Sequence, residues 1–280
     1  MPKPEGPVRR AAVAGSWYPG SADALASEVD RHLEAASPGL PRGTIRGLVA
    51  PHAGLMYSGP VAAWAYRAVQ DDPFEVAVLV GPSHRLGFEG VALYPRGAWD
   101  TPLGPAPIAE DAAAAILAAG SPAVHASEAA HAREHSLEMQ LPFLRRVLPA
   151  TPIVPLLMGL QTPETIAALG SALAVALEGR RALLVASSDL SHYMDSRAAA
   201  RMDRQVLDLV AAFDDEGLVR LLRTRPDHAC GGGPLASVMR AARALGARAA
   251  RVLRYGDSGD TSGDKSAVVG YMAAAFGAFA

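Results

Sequence analysis

The sequence predicts an α/β fold: a single domain over residues 1–280, with a central, mostly parallel or mixed sheet flanked by helices. Two observations carry this. Short β-rich runs alternate with longer stretches of helical spacing, the pattern of strands joined through crossover helices. Neither an internal repeat nor a low-complexity linker divides the chain.

The first predicted element is a helix over residues 22–36, because Leu25, Val29 and Leu33 recur at the spacing of one amphipathic face. A strand over Ile45–Ala50 and a helix over 58–70 come next, then strands over Glu75–Val80 and Gly90–Tyr94. The Ala-rich pieces near 111–119 and 167–177 keep helical spacing, which gives helices over 109–119 and 162–177. Between them lie a helix over 135–147 and a strand over Ile153–Leu157. A strand over Ala182–Ala186 leads to helices over 196–211, 215–223 and 233–245. Strands over Arg251–Tyr255 and Ala267–Tyr271 close the chain.

Composition narrows the function classes. Hydrophobic residues make up 50% of the 280 and charged residues 19%, enough to build a sizeable core and too apolar for a disordered chain. A net charge of −2 gives no drive toward nucleic acid or an acidic membrane. Of 26 basic residues only Lys3 and Lys265 are lysine, and Asn is absent, which points to a GC-rich coding bias rather than a binding surface. No apolar run reaches the roughly 18 residues of a membrane span, and the first residues lack a signal-peptide core. One cysteine, Cys230, excludes an intramolecular disulfide and indicates a reducing compartment. A cytoplasmic protein without nucleic-acid or membrane partners is expected.

The residues just after each apolar run carry the chemistry. Gly47–Ala50 is followed by Pro51-His52-Ala53-Gly54, Val76–Val80 by Gly81-Pro82-Ser83-His84, and Leu183–Ala186 by Ser187-Ser188-Asp189-Leu190-Ser191-His192. Three strands therefore deliver a histidine just past their carboxyl ends, where open α/β sheets build their sites. Cys230, followed by Gly231-Gly232-Gly233, precedes a helix, whose N–H groups favour a thiolate. Thiolate with imidazoles suits zinc, iron or copper and not magnesium or calcium. Taken singly, each residue has a plainer account: a lone cysteine is usually a small core hydrophobe, and a strand-end histidine can be satisfied by backbone. The joint pattern favours a metal site. His32, His125 and His131 are expected in solvent, and His228 ranks as a lesser rival ligand.

Glu134-His135-Ser136 opens a helix; it lacks the second histidine of zinc-protease helices, so capping or a site-facing Glu134 or His135 remain as accounts. Asp257, Asp260 and Asp264 do not match EF-hand spacing and fit a glycine-rich turn, a site-facing role staying open. Neither a GxGxxG fingerprint nor a P-loop occurs, so no nucleotide cofactor is implied, and the missing Gly-x-Ser-x-Gly counts against an α/β-hydrolase.

These motifs together resemble the Memo family, called AmmeMemoRadiSam system protein B in bacteria and archaea. The matching stretches are AAVAGSWYPG (11–20), LVAPHAGLMYSGPVAAWAY (48–66), VLVGPSH (78–84), EHSLEMQLPFL (134–144), IVPLLMG (153–159), SSDLSHY (187–193), CGGGPLA (230–236) and YGDSGD with VVGYMAAAF (255–276). The resemblance implies a fold similar to class III extradiol non-heme iron dioxygenases. It places metal ligands on His52, His84 and Cys230, and an acid–base role on His192 with Asp189 orienting its ring. Trp17 and Tyr57 match pocket aromatics that bind phosphotyrosine peptides in animal members, and Glu134 and His135 join them as substrate-binding candidates. Two departures matter. The dioxygenases complete their iron site with a carboxylate where this chain has Cys230, and Leu55 stands where many relatives have Tyr.

The leading expectation is a metal-dependent, iron-binding protein with redox or dioxygenase-like chemistry on a small substrate. One alternative is a non-catalytic module that binds a peptide or small ligand in the same cleft; another is a zinc-dependent hydrolase, since an open Cys-His-His site also activates water. The resemblance further implies radical SAM and AMMECR-like proteins as partners.

Overall fold

The computed structural model describes residues 6–39, 43–70 and 72–279, so the predicted 1–280 extent is described except at its ends and two short internal pieces. Among the described residues twelve strands form: β1 (Val8–Arg9), β2 (Gly43–Ala50), β3 (Val76–Pro82), β4 (Val91–Leu93), β5 (Ala98–Trp99), β6 (Ala106–Pro107), β7 (Val124–Ala126), β8 (Ile153–Met158), β9 (Ala182–Ser187), β10 (His192–Met194), β11 (Ala249–Asp257) and β12 (Val268–Phe279). The main sheet runs β10-β12-β2-β9-β3-β8-β4-β7, with β11 also paired to β12; β1, β5 and β6 make a small separate sheet.

Its centre is parallel. β2, β9, β3 and β8 pair side by side in one direction, while β12 joins β2 and β4 joins β8 antiparallel. The sheet is therefore mixed, with its parallel part confined to the middle. The reason lies in the connections: a parallel crossover needs a dozen or more residues. Between β11 and β12 the chain offers only a short turn with the one-turn helix Gly259–Ser262, so these two strands form an antiparallel pair.

The central strands are buried along their whole apolar runs, Val76–Val80, Ile153–Val154, Leu156–Met158 and Ala182–Ala186 among them. Continuous apolar strands of this kind are covered on both faces. Each fully buried Val or Leu contributes about 1.5–3 kcal/mol of transfer free energy. Helix Gly232–Ala244 packs on β9 and β3, and on helix Pro163–Ala176; helices Leu55–Arg67 and Ser196–Ala211 pack on β11 and β12.

Two helix starts differ from the sequence reading. The predicted helix over 58–70 begins earlier, at Leu55, which leaves Pro60 inside it. The helix expected over 135–147 begins later: a 3-10 turn spans Glu138–Gln140 and α-helix follows over Leu141–Val147. Pro142 falls in the first turn of the observed helix, where its missing N–H costs nothing. Strands β1, β5, β6, β7 and β10 are too short to show a period in sequence.

His131 corrects another expectation. It is fully buried, not solvated, with Nε2 donating to the Ala92 carbonyl at 3.1 Å and its ring set edge-on against Tyr94 and Trp99. The surrounding stretch is not a loop but β7 followed by the short helix Glu128–His131. His32 is half-buried on its helix, and His125 is exposed as expected. Among the described residues no helix is long and apolar enough to cross a membrane.

Candidate metal centre

Because β2, β9 and β3 are neighbours and parallel, their carboxyl ends share one sheet edge. His52 follows β2, His84 follows β3, and the Ser188–His192 turn follows β9. All three histidines line one cleft of about 890 Å³, together with Trp17, Tyr57, Arg85, His135, Asp189 and Tyr193.

Ligand atoms of His52, His84 and His135 lie within 4.8 Å of one another, a group able to hold a metal ion. The His52 and His84 rings meet edge to face at 5.2 Å between centroids, and His135 stacks on His84 at 4.7 Å. Burial holds His52 well below the usual imidazole pKa and lowers His135 to about 4, so both are neutral and available as ligands. His84 stands at the mouth, its side chain 30% exposed.

Glu134 organises this floor. Its carboxylate accepts the His84 ring Nδ1–H at 3.0 Å and the backbone N–H groups of His84, His135 and Ser136 at 2.6–2.9 Å. Burial alone would raise its pKa, but these donors hold it far below the ordinary carboxylate range. A carboxylate on Nδ1 leaves His84 Nε2 bare, the arrangement that orients histidine toward metals. Glu134 thus caps the turn and reaches the cleft only through His84, while His135 itself lines the cleft.

Cys230 sits 3.3 Å from His52 Nε2 and accepts the Asp189 backbone N–H at 3.3 Å. It adjoins His52 rather than joining the three-histidine group, a position His135 takes instead. Sequence marked His135 for substrate, and only the tertiary packing puts its ring among the ligand atoms. Burial, reinforced by the charge of Asp189, pushes the Cys230 thiol pKa up, against the pull toward thiolate expected at a helix start.

Trp17, Tyr57, His192 and Asp189 all line the cleft. Trp17 packs on the His135 ring at 4.3 Å, and Tyr57 is 36% exposed at the rim. His192 lines the cleft half-buried, and burial lowers its pKa. Asp189 does not orient that ring. Its Oδ1 accepts the His52 backbone N–H at 2.7 Å, and burial raises its pKa to about 7. His228 is buried beside Asp227, outside the ligand group. Of the acidic turn, Asp257 and Asp260 pair with Lys265, and Asp264 reaches the cleft wall.

Fold and cleft together define an α/β protein with a histidine cluster at the carboxyl ends of its central strands. Residues 9–275 match the model of the Memo-like protein family. The chain is 40% identical to a MEMO1 family protein of Methanothermobacter thermautotrophicus over 94% of its length and 98% of the relative's. A MEMO1 family protein of Ignicoccus hospitalis is 38% identical, covering 96% of this chain and 98% of its own. The chain belongs to the Memo family. Its fold is similar to that of an uncharacterized protein of Escherichia coli K12, with a TM-score of 0.57 at 18% identity over 82% of this chain and 99% of that one.

Proposed function

We propose that the cleft binds a transition metal, with His52 and His84 as two ligands and Cys230 as the third, and that the bound ion serves redox chemistry on a small substrate. The His52 and His84 rings meeting in the cleft, with Cys230 Sγ 3.3 Å from His52 Nε2 and the Glu134 carboxylate on His84 Nδ1, are the observation that carries this reading. Two imidazoles with an adjoining thiol form a borderline-soft donor set that fits iron, zinc or copper. Iron is the choice because an open His-rich site suits O₂ or substrate; when bound, it would supply one-electron chemistry.

The chain's own residues divide the remaining work. Trp17 and Tyr57 would hold an apolar substrate body against the floor, and His192 lies across the cleft to accept or return a proton. Arg85 gives the mouth one positive charge for an anionic group.

A second reading, ligand capture without chemistry, draws support from the exposed rim: Met56 is 54% and Tyr193 79% exposed beside the cleft. Anaerobic purification, elemental analysis and O₂-consumption assays separate the readings. Iron near one per chain, lost in both His52→Ala and Cys230→Ser but kept in His192→Ala, is the expected result. Tight zinc with no redox activity supports hydrolysis. Metal content at background, unchanged in His52→Ala, sinks the metal reading. Retention in Cys230→Ser with loss in His135→Ala would move the third ligand to His135.

A further inference from the structure

Behind the cleft, a chain of buried hydrogen bonds determines which nitrogen of His52 faces it. We propose that Gln140 and Ser187 are positioning residues that hold His52 as its Nδ1–H tautomer, aiming the bare Nε2 at Cys230 and the cleft. Gln140 ends the 3-10 turn, Ser187 ends β9, and Tyr66 stands on helix Leu55–Arg67. Tyr66, Ser136, Gln140 and Ser187 are all fully buried, so each hydrogen must find its acceptor within the protein.

The donor count runs in one direction. One end of the Gln140 amide lies 3.1 Å from the Pro51 carbonyl, which can only accept, so that end is the amino group. Its second hydrogen falls on Ser187 Oγ at 2.8 Å, and the amide oxygen accepts the Tyr66 hydroxyl at 2.8 Å. Ser187 owns a single hydrogen, which the Ser136 carbonyl takes at 2.6 Å. Toward His52 Nδ1, 2.8 Å away, Ser187 Oγ therefore acts only as acceptor, and Nδ1 must carry the proton. A neutral imidazole has one N–H, so Nε2 keeps its lone pair, 3.3 Å from Cys230 Sγ. The other tautomer would set bare Nδ1 against an oxygen whose hydrogen is already used.

His84 and His52 thus reach the same state by different means, a carboxylate for one and a neutral serine–amide relay for the other. The relay adds no charge behind His52. Its consequence for metal affinity rests on the metal reading above; the tautomer itself does not.

The test uses the full-length, metal-free protein labelled with ¹⁵N-histidine at pH 8. Long-range ¹H–¹⁵N spectra report which ring nitrogen of His52 bears hydrogen, His52→Ala identifying its signals. The wild type should show hydrogen on Nδ1. Ser187→Ala should shift His52 toward the Nε2–H form and weaken zinc binding, measured by chelator competition, about 10–100-fold. Gln140→Met removes the amide donor that fixes the rotation of the Ser187 hydroxyl; its hydrogen can then turn from the Ser136 carbonyl toward Nδ1, so this variant should give a mixture and serves if Ser187→Ala does not fold. Hydrogen on Nε2 in the wild type, or the wild-type pattern surviving both variants, overturns the proposal. Nδ1–H without any zinc binding would leave it standing and sink the metal reading instead. Tight zinc binding with Nε2–H would do the reverse.

Discussion

Glu134 and Glu138 stand four residues apart, are both almost wholly buried, and serve different regions of the molecule. Glu134 lies behind the cleft-lining His84 and accepts from its backbone N–H and ring. Glu138 faces the other way: it pairs with Arg9 at 2.6 Å and accepts the Ala12 and Val13 N–H groups and the Tyr18 hydroxyl at 2.7–3.0 Å. Arg9 in turn lies over Trp99 and donates to the carbonyls of His131 and Glu134. One carboxylate thus fixes the His84 ring at the cleft, while the other fastens the N-terminal segment that brings Trp17 to the cleft. The difference teaches that burial alone does not mark function. What the buried charge touches decides: a cleft-lining imidazole in one case, an arginine and the N-terminal backbone in the other.

The largest effect is expected where the set is closed. Glu138→Ala leaves Arg9 charged and unpaired in the interior and should cost about 3–5 kcal/mol in urea unfolding. A loss below 1 kcal/mol would show that the N-terminal clamp is not a structural hub. Glu134→Gln keeps an acceptor oxygen but removes the charge behind His84. It should weaken metal binding by about 10–100-fold, or roughly 1.4–2.7 kcal/mol, while leaving the fold in place. Equal losses of stability in both variants would erase the contrast between the two carboxylates.

His131 extends the comparison to pH. Burial lowers its pKa from 6.5 to about 3, so below 6.5 the unfolded chain takes up a proton that the folded protein refuses. Its contribution to stability is therefore full above pH 6.5 and lost as pH falls from there toward 3. Urea midpoints of the wild type should fall across this window more steeply than those of His131→Leu. Parallel profiles would contradict the assignment. The smallest effect belongs to His125, exposed on β7: His125→Ala should change stability by less than about 0.5 kcal/mol and metal content not at all.

Most of the fold was legible. The seven strands expected from sequence all form, and His52, His84 and His192 come together because three parallel apolar runs each end in a polar turn. His135 and His131 show where that legibility stops. Both sit in a stretch without clear period, and nothing local distinguishes the ring that joins the cluster from the ring walled in by Trp99 and Tyr94. The helix start at Leu141 was not read: the sequence placed it at 135, ahead of the 3-10 turn. The partnership of Asp189 with the His52 backbone needed the register of β2 against β9.

By itself the sequence determined the class of fold, the central strands and the placing of histidines at their carboxyl ends. Apolar periodicity and turn residues act over a few positions, and a parallel sheet turns those local rules into a shared edge. Only the tertiary structure decided which side chains touch: Glu134 on His84, Gln140 and Ser187 behind His52, His135 in the cluster, Glu138 on Arg9. These contacts join residues up to 135 positions apart, as for His52 and Ser187. Hydrogen-bond direction depends on atoms a few ångströms apart in space, and that proximity is fixed by packing rather than by any local pattern.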